Sequence, residues 1–302
     1  MFTKNSALLS TLISKIITDS SVDIGSSFNQ SFNSVMKKLF ANNEQGFFYD
    51  PNDLSTMYQD AAGTVPVTNV RQAVGLLLDK SKGLLLSSNL ITNGSFKDGT
   101  TGWALTGNSV LVGSGVSLTG GGTSSTLEQT IPTVVGKSYM ITAKVYDVVG
   151  SGLSNSTGGI AGFLGARIFK ATAISTNIYF RGFGSVGTNN SAKITDIVVR
   201  EISDMYAYQT TSSMRPLLDA SPQRLDFDTA DDKLITNLPA QLTGCTVIRS
   251  VPNVGTQILM NQTIPTPYND NTDHCGLIVI NRALTPIETS AITAELNKRA
   301  GV

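Results

Sequence analysis

The one histidine of this chain, His274, stands beside one of its two cysteines, Cys275; the other is Cys245. Imidazole and thiolate are the side chains best suited to nucleophilic or metal chemistry near neutral pH. With a single imidazole, any triad or acid–base pair that needs one must use His274. A zinc site on His274 and Cys275 lacks two further ligands at finger spacing, so no metal is expected there. The cysteines read as two isolated buried thiols or as one disulfide closing a loop. Carboxylates are the remaining route to catalysis, because a glycosidase needs only two acids across a sugar bond. Glu128 and Asp147 are the candidates for such a pair. The acids at Asp226, Asp228, Asp231 and Asp232 read as turn chemistry, with side chains accepting backbone N–H bonds, or else as a calcium site. The turn reading is adopted. No G-x-S-x-G elbow, P-loop, H-E-x-x-H or dinucleotide fingerprint occurs. The Gly113-Ser114-Gly115 and Gly120-Gly121-Gly122 stretches read as loop punctuation. The expectation is a non-enzymatic protein with no cofactor.

The elements that would position these residues follow from composition and pattern. The chain has 302 residues, enough for two domains. Its 22 basic and 22 acidic residues balance and are dispersed, which argues against capture of nucleic acid or anionic membrane. Charged residues are only 15% of the chain and glycines number 28, a mix that suits short strands joined by many turns and argues against wholesale disorder. No apolar run approaches the roughly 20 residues that span a bilayer. The N-terminal MFTKNSALLSTLISKII superficially resembles a signal peptide. Lys15 interrupts it and no convincing small-x-small site follows, so a retained helix and assembly inside the cell are expected.

Residues 1–45 predict two amphipathic helices. The first carries Leu8, Leu9, Leu12, Ile13, Ile16 and Ile17 on one stripe; the second carries Phe28, Phe32, Val35, Met36, Leu39 and Phe40. Two apolar helices ahead of β-rich sequence either pack on their own downstream domain or dock on an external surface. Docking is the reading adopted, through Leu8, Leu12, Ile16, Phe28, Phe32 and Leu39. From Gly46 the aromatic run Phe47-Phe48-Tyr49, the Asp50-Pro51-Asn52-Asp53 turn and the apolar run Val74–Leu78 need partner strands. Those partners are expected downstream of Asp204, with residues 88–203 forming an inserted unit. Within that unit, β-branched and alternating runs recur between Gly, Asn and Ser clusters at the spacing of a β-sandwich. Downstream, Gly276–Ile280 predicts a strand buried on both faces. Thr285-Pro286-Ile287-Glu288 predicts a capping box with Pro at the first helical position. Ile287, Ala291, Ile292, Ala294 and Leu296 are the expected buried side of that helix, and Lys298, Arg299 and Gly301 its end.

Two resemblances sharpen this reading. The pieces LITNGSF, GW, LEQTIPTVVGKSYMITAKV and ITDIVVREI resemble the jelly-roll carbohydrate-binding modules often attached to glycoside hydrolases. The resemblance implies a sugar-binding sandwich in which Trp103 is either core or a ligand platform. Tyr139, Tyr146, Tyr179 and Asn155 are then the aromatic and amide ligands expected. That family often carries calcium, but no metal is expected here. The pieces YDPNDLSTMYQDAAGTVPVT, VGLLLDKSKG, RPLL, RLDFDTADDKLIT and NRALTPIETSAITAELNKRAGV resemble concanavalin/laminin-G-like sandwiches of tailed-bacteriophage and prophage structural proteins.

The expected fold is mainly β, with two jelly-roll-like β-sandwiches, one inserted in the other, an N-terminal helical segment and a short C-terminal helix. The expected divisions are 1–45, a helical anchor; 46–87 with 204–302, the host sandwich; and 88–203, the guest. The expected function is a phage virion protein, in a tail fibre, tail tip or other appendage, that binds host surface glycans. The alternative is a head decoration, head fibre or baseplate component touching only virion neighbours. A third reading is a hydrolase of surface polysaccharide. Expected partners are other virion proteins, host surface polysaccharide and copies of the chain itself, a trimer suiting a fibre. The expected location is the virion, after assembly in the host cytoplasm.

Overall fold

The computed structural model describes residues 32–120, 125–150, 153–155, 160–163, 165–182 and 190–302. It is mainly β. Helix α1 spans Phe32–Leu39 and is followed by strands β1 (Gly46–Tyr49), β2 (Met57–Tyr58) and β3 (Leu76–Leu77). The stretch from 104 to 202 contains β4 (Ala104–Thr106), β5 (Val110–Val112), β6 (Gly115–Thr119), β7 (Ser125–Pro132), β8 (Ser138–Val149), β9 (Leu153–Asn155), β10 (Ile160–Phe163), β11 (Ala166–Lys170), β12 (Ser175–Gly182) and β13 (Ser191–Ile202). Then come β14 (Ala207–Tyr208), β15 (Leu217–Asp219), β16 (Arg224–Asp226), β17 (Leu234–Thr236), β18 (Leu242–Val251), β19 (Gly255–Ile264), β20 (Tyr268–Asp270), β21 (Leu277–Ile280) and helix α2 (Pro286–Ala300).

The host sandwich is built from both ends of the chain. One sheet has the order β1-β21-β18-β19 and the other β2-β3-β14-β17-β20, all antiparallel. Between them lies a core of Phe47, Tyr49, Met57, Leu77, Leu234, Val247, Leu277 and Val279 with their neighbours. The remaining residues of β1 and β21 point the other way: Phe48, Ile278 and Ile280 pack with Met36 and Leu39 of α1 and with Ile292 and Leu296 of α2. Side chains alternate faces along a strand, so a strand covered on both sides reads as an unbroken apolar run. That is why GFFY and LIVI are buried throughout. Gly46 begins β1 at φ 140°, where an added Cβ would overlap the Val279 carbonyl oxygen.

The guest sandwich, formed by residues between 91 and 199, has its own core. Sheets β10-β9-β12-β7-β4 and β11-β8-β13-β6-β5 enclose Leu127, Ile131, Ile178 and Phe180 from one side and Val116, Leu118, Ile141, Ile194 and Val199 from the other. Chain entry and exit run side by side. Leu86 N–H donates to the Glu201 carbonyl and Leu90 N–H to the Val199 carbonyl. Entry and exit segments that lie side by side let a host accept an insert at its surface. The guest then rests on the outer face of the β2–β3–β14 sheet, where Tyr58, Leu76 and Leu78 meet Met140, Ala166 and Ile202.

The helices depart from expectation in two places. Phe32 and Leu39, expected to dock outward, are used internally. Leu39 is 1% exposed, and the Phe32 ring meets the Phe48 ring edge-on at 5.4 Å. Sheet β1-β21-β18-β19 needs a cover for Phe48 and Ile278, and α1 supplies it. Leu8, Leu12, Ile16 and Phe28 lie outside the described residues. In α2 the buried face is Ile292, Leu296 and Ala300; Ile287, Ala291 and Ala294 face solvent, with Ile287 83% exposed. Two i,i+4 stripes are available in this sequence, and the one that continues to Ala300 is the one the sheet takes. The capping box forms as read, with Thr285 Oγ1 accepting from Glu288 N–H and Gly301 closing the helix in the left-handed region. No helix among the described residues is long and apolar enough to cross a membrane.

Candidate functional site

The motif Asn93-Gly94-Ser95-Phe96 with Gly102-Trp103 turns out to be construction. Asn93 sits at φ 50°, its side-chain oxygen accepting from Asp98 N–H and its amide donating to the carbonyls of Gly99 and Thr101. The Asn93 carbonyl in turn accepts from the Trp103 indole N–H at 3.2 Å. Gly94 lies so close to β13 that a Cβ would overlap the Ile197 carbonyl oxygen. Gln129 pins the same loop by accepting from Thr92 N–H and donating to the Thr92 and Gly102 carbonyls. A polar frame of this kind holds Trp103 against Phe96 in the guest core, at 8% exposure.

Tyr139 is core as well. Its ring stacks on Phe169 with centroids 5.4 Å apart, and its hydroxyl accepts from Val134 N–H. Tyr146 and Tyr179 are half-buried and point outward, but from different sheets. The Tyr146 ring on β8 has the ammonium groups of Lys144 and Lys193 near its face at 5.7 and 5.9 Å, and Lys193 is bonded to Asp147 at 2.7 Å. Tyr179 lies on β12. Asn155 stands on β9 in register with Phe180 and Ile160, not with Tyr179. The five expected ligands therefore do not converge on one place.

The surface that does assemble is the outer face of the sheet containing β7 and β12. Leu127 and Ile131 on β7 and Ile178 and Phe180 on β12 point into the core, so their neighbours point out. Register then places Tyr179 opposite Glu128, Asn177 opposite Thr130 and Arg181 opposite Thr126. The Asn177 amide donates to Glu128 Oε2 at 2.7 Å. The result is one sheet face that carries an aromatic ring, an amide, the Thr130 hydroxyl, a carboxylate and a guanidinium. Such groups offer CH–π contact and hydrogen bonds in both directions, which is what a polyhydroxylated ligand requires. Asn177, Arg181 and Thr130 were not singled out in the sequence. The strict alternation in LEQTI and NIYFRG was the signal that could have found them.

The groups capable of chemistry are dispersed or buried. Glu128 and Asp147 lie on different sheets, each with its own partner. His274 is fully buried, 2.8 Å from Asp270 Oδ2, and pairs in register with Leu225. Cys245 and Cys275 are both buried and unbonded to each other; burial pushes the Cys275 thiol up to about 11, so it is not a thiolate near neutrality. Among the described residues, one set of three acids could share an ion: Asp228, Asp231 and Asp232, with ligand atoms within 4.8 Å of one another. Asp228 Oδ1 already accepts the N–H groups of Ala230, Asp231 and Asp232, and these bonds hold its carboxyl below the usual range. The turn chemistry read from the sequence is what those contacts are. No protein-family model matches the chain, and no curated protein matches it.

Proposed function

We propose that this chain is a non-enzymatic bacteriophage virion protein. In this reading it belongs to a tail fibre, tail tip or similar appendage and binds host surface glycans through its β-sandwiches. The observation that carries the reading is the outward strip around Tyr179, Glu128, Asn177 and Arg181 on the β7–β12 sheet. The two helices cover the far side of the host sheet β1-β21-β18-β19. In this reading the helix-covered side faces the particle and the β7–β12 face meets the host surface. Each shallow site would bind weakly, and several copies in one particle would convert that into avidity. The test is adhesion of the full chain, multimerised on beads, to host cells before and after removal of their surface polysaccharide. Retention that polysaccharide removal does not change would count against the reading.

A second reading, a structural component of head or baseplate, is favoured by one feature. Strand β19 is the ten-residue edge of its sheet, bonded to β18 alone among the described strands, with Asn297 meeting Thr256 N–H near its start and Leu259 and Met260 exposed. Open apolar edges are suited to pairing with another subunit. Localising the protein in intact particles, with its copy number, separates the two readings.

A further inference from the structure

A concavity lies where guest meets host, lined by residues other than those of the Tyr179 strip. It encloses about 520 Å³ and draws on three parts of the chain. The guest contributes the Gly136–Ser138 turn and Lys170. The returning crossover contributes Asp204, Met205, Tyr206 and Tyr208. The host contributes the Asn237–Pro239 turn. The cleft exists only because the two sandwiches are seated on each other. That seating is fixed by Ser138 N–H donating to Asp204 Oδ1 at 2.9 Å and by Ile168 N–H donating to the Ala62 carbonyl at 2.9 Å.

Its chemistry is specific. Tyr206 and Tyr208 are half-buried with centroids 6.2 Å apart and planes at 58°, so together they present two inclined aromatic faces. Their other sides pack on the apolar seam between the sandwiches, which holds the rings in place. The Asn237 amide donates to the Tyr208 hydroxyl at 2.9 Å, leaving that hydroxyl's own proton and the second amide hydrogen for a ligand. Lys137 is shared between Glu201 and Asp204 at 3.6 and 3.7 Å. Lys170 is exposed and belongs to no ion pair among the described residues. The one carboxylate lining the cleft, Asp204, thus shares the Lys137 ammonium with Glu201, and Lys170 is the second cation of the lining.

We infer that this cleft binds a saccharide carrying a carboxylate, such as a uronic acid residue. The tyrosine faces take the apolar side of the ring, the Tyr208 hydroxyl and Asn237 amide read its hydroxyls, and Lys170 takes the carboxylate. A cavity of this size suits one or two sugar rings. A di- or triphosphate would bring more negative charge than one lysine outside any ion pair can meet. This inference rests on the reading that the protein engages surface glycans, but at a place distinct from the Tyr179 strip.

The test is calorimetric titration of the full chain with a glucuronic acid–N-acetylglucosamine disaccharide and, separately, with a neutral disaccharide of the same linkage. Lys170→Glu changes only an exposed side chain; Tyr208→Ala removes one aromatic face, with folding checked by thermal melting; Tyr179→Ala reports on the other surface. The expected result is binding of the acidic sugar at least about tenfold tighter than the neutral one. Lys170→Glu and Tyr208→Ala should each weaken the acidic sugar by about tenfold or more, with Tyr179→Ala unchanged. Equal affinity in Lys170→Glu, equal affinity for the two sugars, no binding of the acidic sugar, or a loss confined to Tyr179→Ala would each overturn it. Adhesion of the same protein to host cells is read in parallel. Adhesion that survives while the cleft binds nothing leaves the glycan reading standing and removes this inference alone.

Discussion

The Ser203 hydroxyl bonds to Asp79 Oδ2 at 2.6 Å, joining two positions 124 residues apart at the points where the chain leaves the host sandwich and returns to it. The same carboxyl group holds more than the crossing. Its Oδ1 accepts the N–H groups of Phe48 and Ser81 at 2.9 and 2.8 Å, and its Oδ2 also meets the Ser81 hydroxyl. Asp79 thus ties β1, entry and exit into one knot. Close by, the Tyr49 hydroxyl donates to the Met205 carbonyl at 2.6 Å, a second tie between β1 and the returning chain.

Burial pushes the Asp79 carboxyl up, against the pull of its four hydrogen-bond partners. Its folded state therefore holds a proton at pH values where the unfolded chain has lost it. The resulting contribution is fully present below the unfolded value near 4 and is lost as pH rises through the raised folded value. Asp79→Asn keeps an oxygen for the two N–H groups and offers an amide to the two hydroxyls, with no charge to bury. Its urea midpoint should match or exceed wild type near neutral pH, with the advantage shrinking toward pH 4. Asp79→Ala leaves two buried N–H groups without acceptors and should cost about 2–5 kcal/mol. An asparagine variant as unstable as the alanine variant would show that the negative charge itself holds the knot.

Another knot, at Arg299, predicts a loss of comparable size. Arg299 bonds to the buried Asp50 carboxylate, reaches Glu295, and lies over the Phe32 ring with 4.4 Å to the centroid. One side chain therefore joins α2, α1 and the turn after β1. Lys80 holds the other Asp50 oxygen at 2.9 Å. Arg299→Ala leaves a buried carboxylate short of one cation and strips the cover from Phe32, for a cost of about 3–5 kcal/mol. Arg299→Lys should recover little, because an ammonium cannot stack and bridge together. Denaturant unfolding checks both, and a loss under ~1 kcal/mol in the alanine variant would place α1 outside the cooperative unit.

How much of this was legible depends on the range of each signal. The fold class was readable because its cues are local: apolar runs such as GFFY and GLIVI, alternating strands such as ITDIVVREI, and the capping box at Thr285. The Asp50-Pro51-Asn52-Asp53 turn was also visible, but not that Asp50 would be buried and paired with Lys80 and Arg299. Arg299 looked like a cation complementing a helix end, and its partners are set by tertiary packing. The same limit hid the face of α2, since both Ile287-Ala291-Ala294 and Ile292-Leu296-Ala300 satisfy helical spacing. At the candidate surface, aromatic identity was a poor guide: Trp103 and Tyr139 fill the core. What selected Tyr179, Asn177 and Arg181 was strand parity together with the β7–β12 register, and register is not written in residue type.

The cap of α2 should show an acid dependence of opposite sign to that of Asp79. The bond from Arg282 holds the Glu288 carboxyl down at about 2, helped by Thr285 N–H and opposed by partial burial. A lowered carboxylate contributes stability that is present above its unfolded value near 4.5 and is lost as pH falls toward 2. Arg282 also bonds to Glu44 and to the Leu39 carbonyl at the end of α1, so protonating Glu288 loosens both helices. Glu288→Ala should cost about 1 kcal/mol at neutral pH, with solvent exposure limiting the ion-pair share. Its deficit relative to wild type should shrink on acidification from pH 4.5 to 2. A deficit constant across that window would assign the cost to the helix cap alone.

The division between core aromatics and the outward strip gives the most direct separation of folding from function. Trp103→Ala removes a buried ring whose indole N–H is bonded to the Asn93 carbonyl, and should cost about 3–5 kcal/mol. Tyr179 stands half-buried opposite Glu128, where a cross-strand pair contributes about 0.2–1 kcal/mol. Tyr179→Ala should therefore melt within a few degrees of wild type. Its retention on host cells should nevertheless fall several-fold in a multimeric format, since a lost aromatic face is multiplied by valency. Trp103→Phe, which keeps the core filled, should retain adhesion despite lower stability. If instead Trp103→Phe loses adhesion at a temperature where it remains folded and Tyr179→Ala does not, the contact surface lies at the Asn93–Trp103 loop and not on the β7–β12 strip.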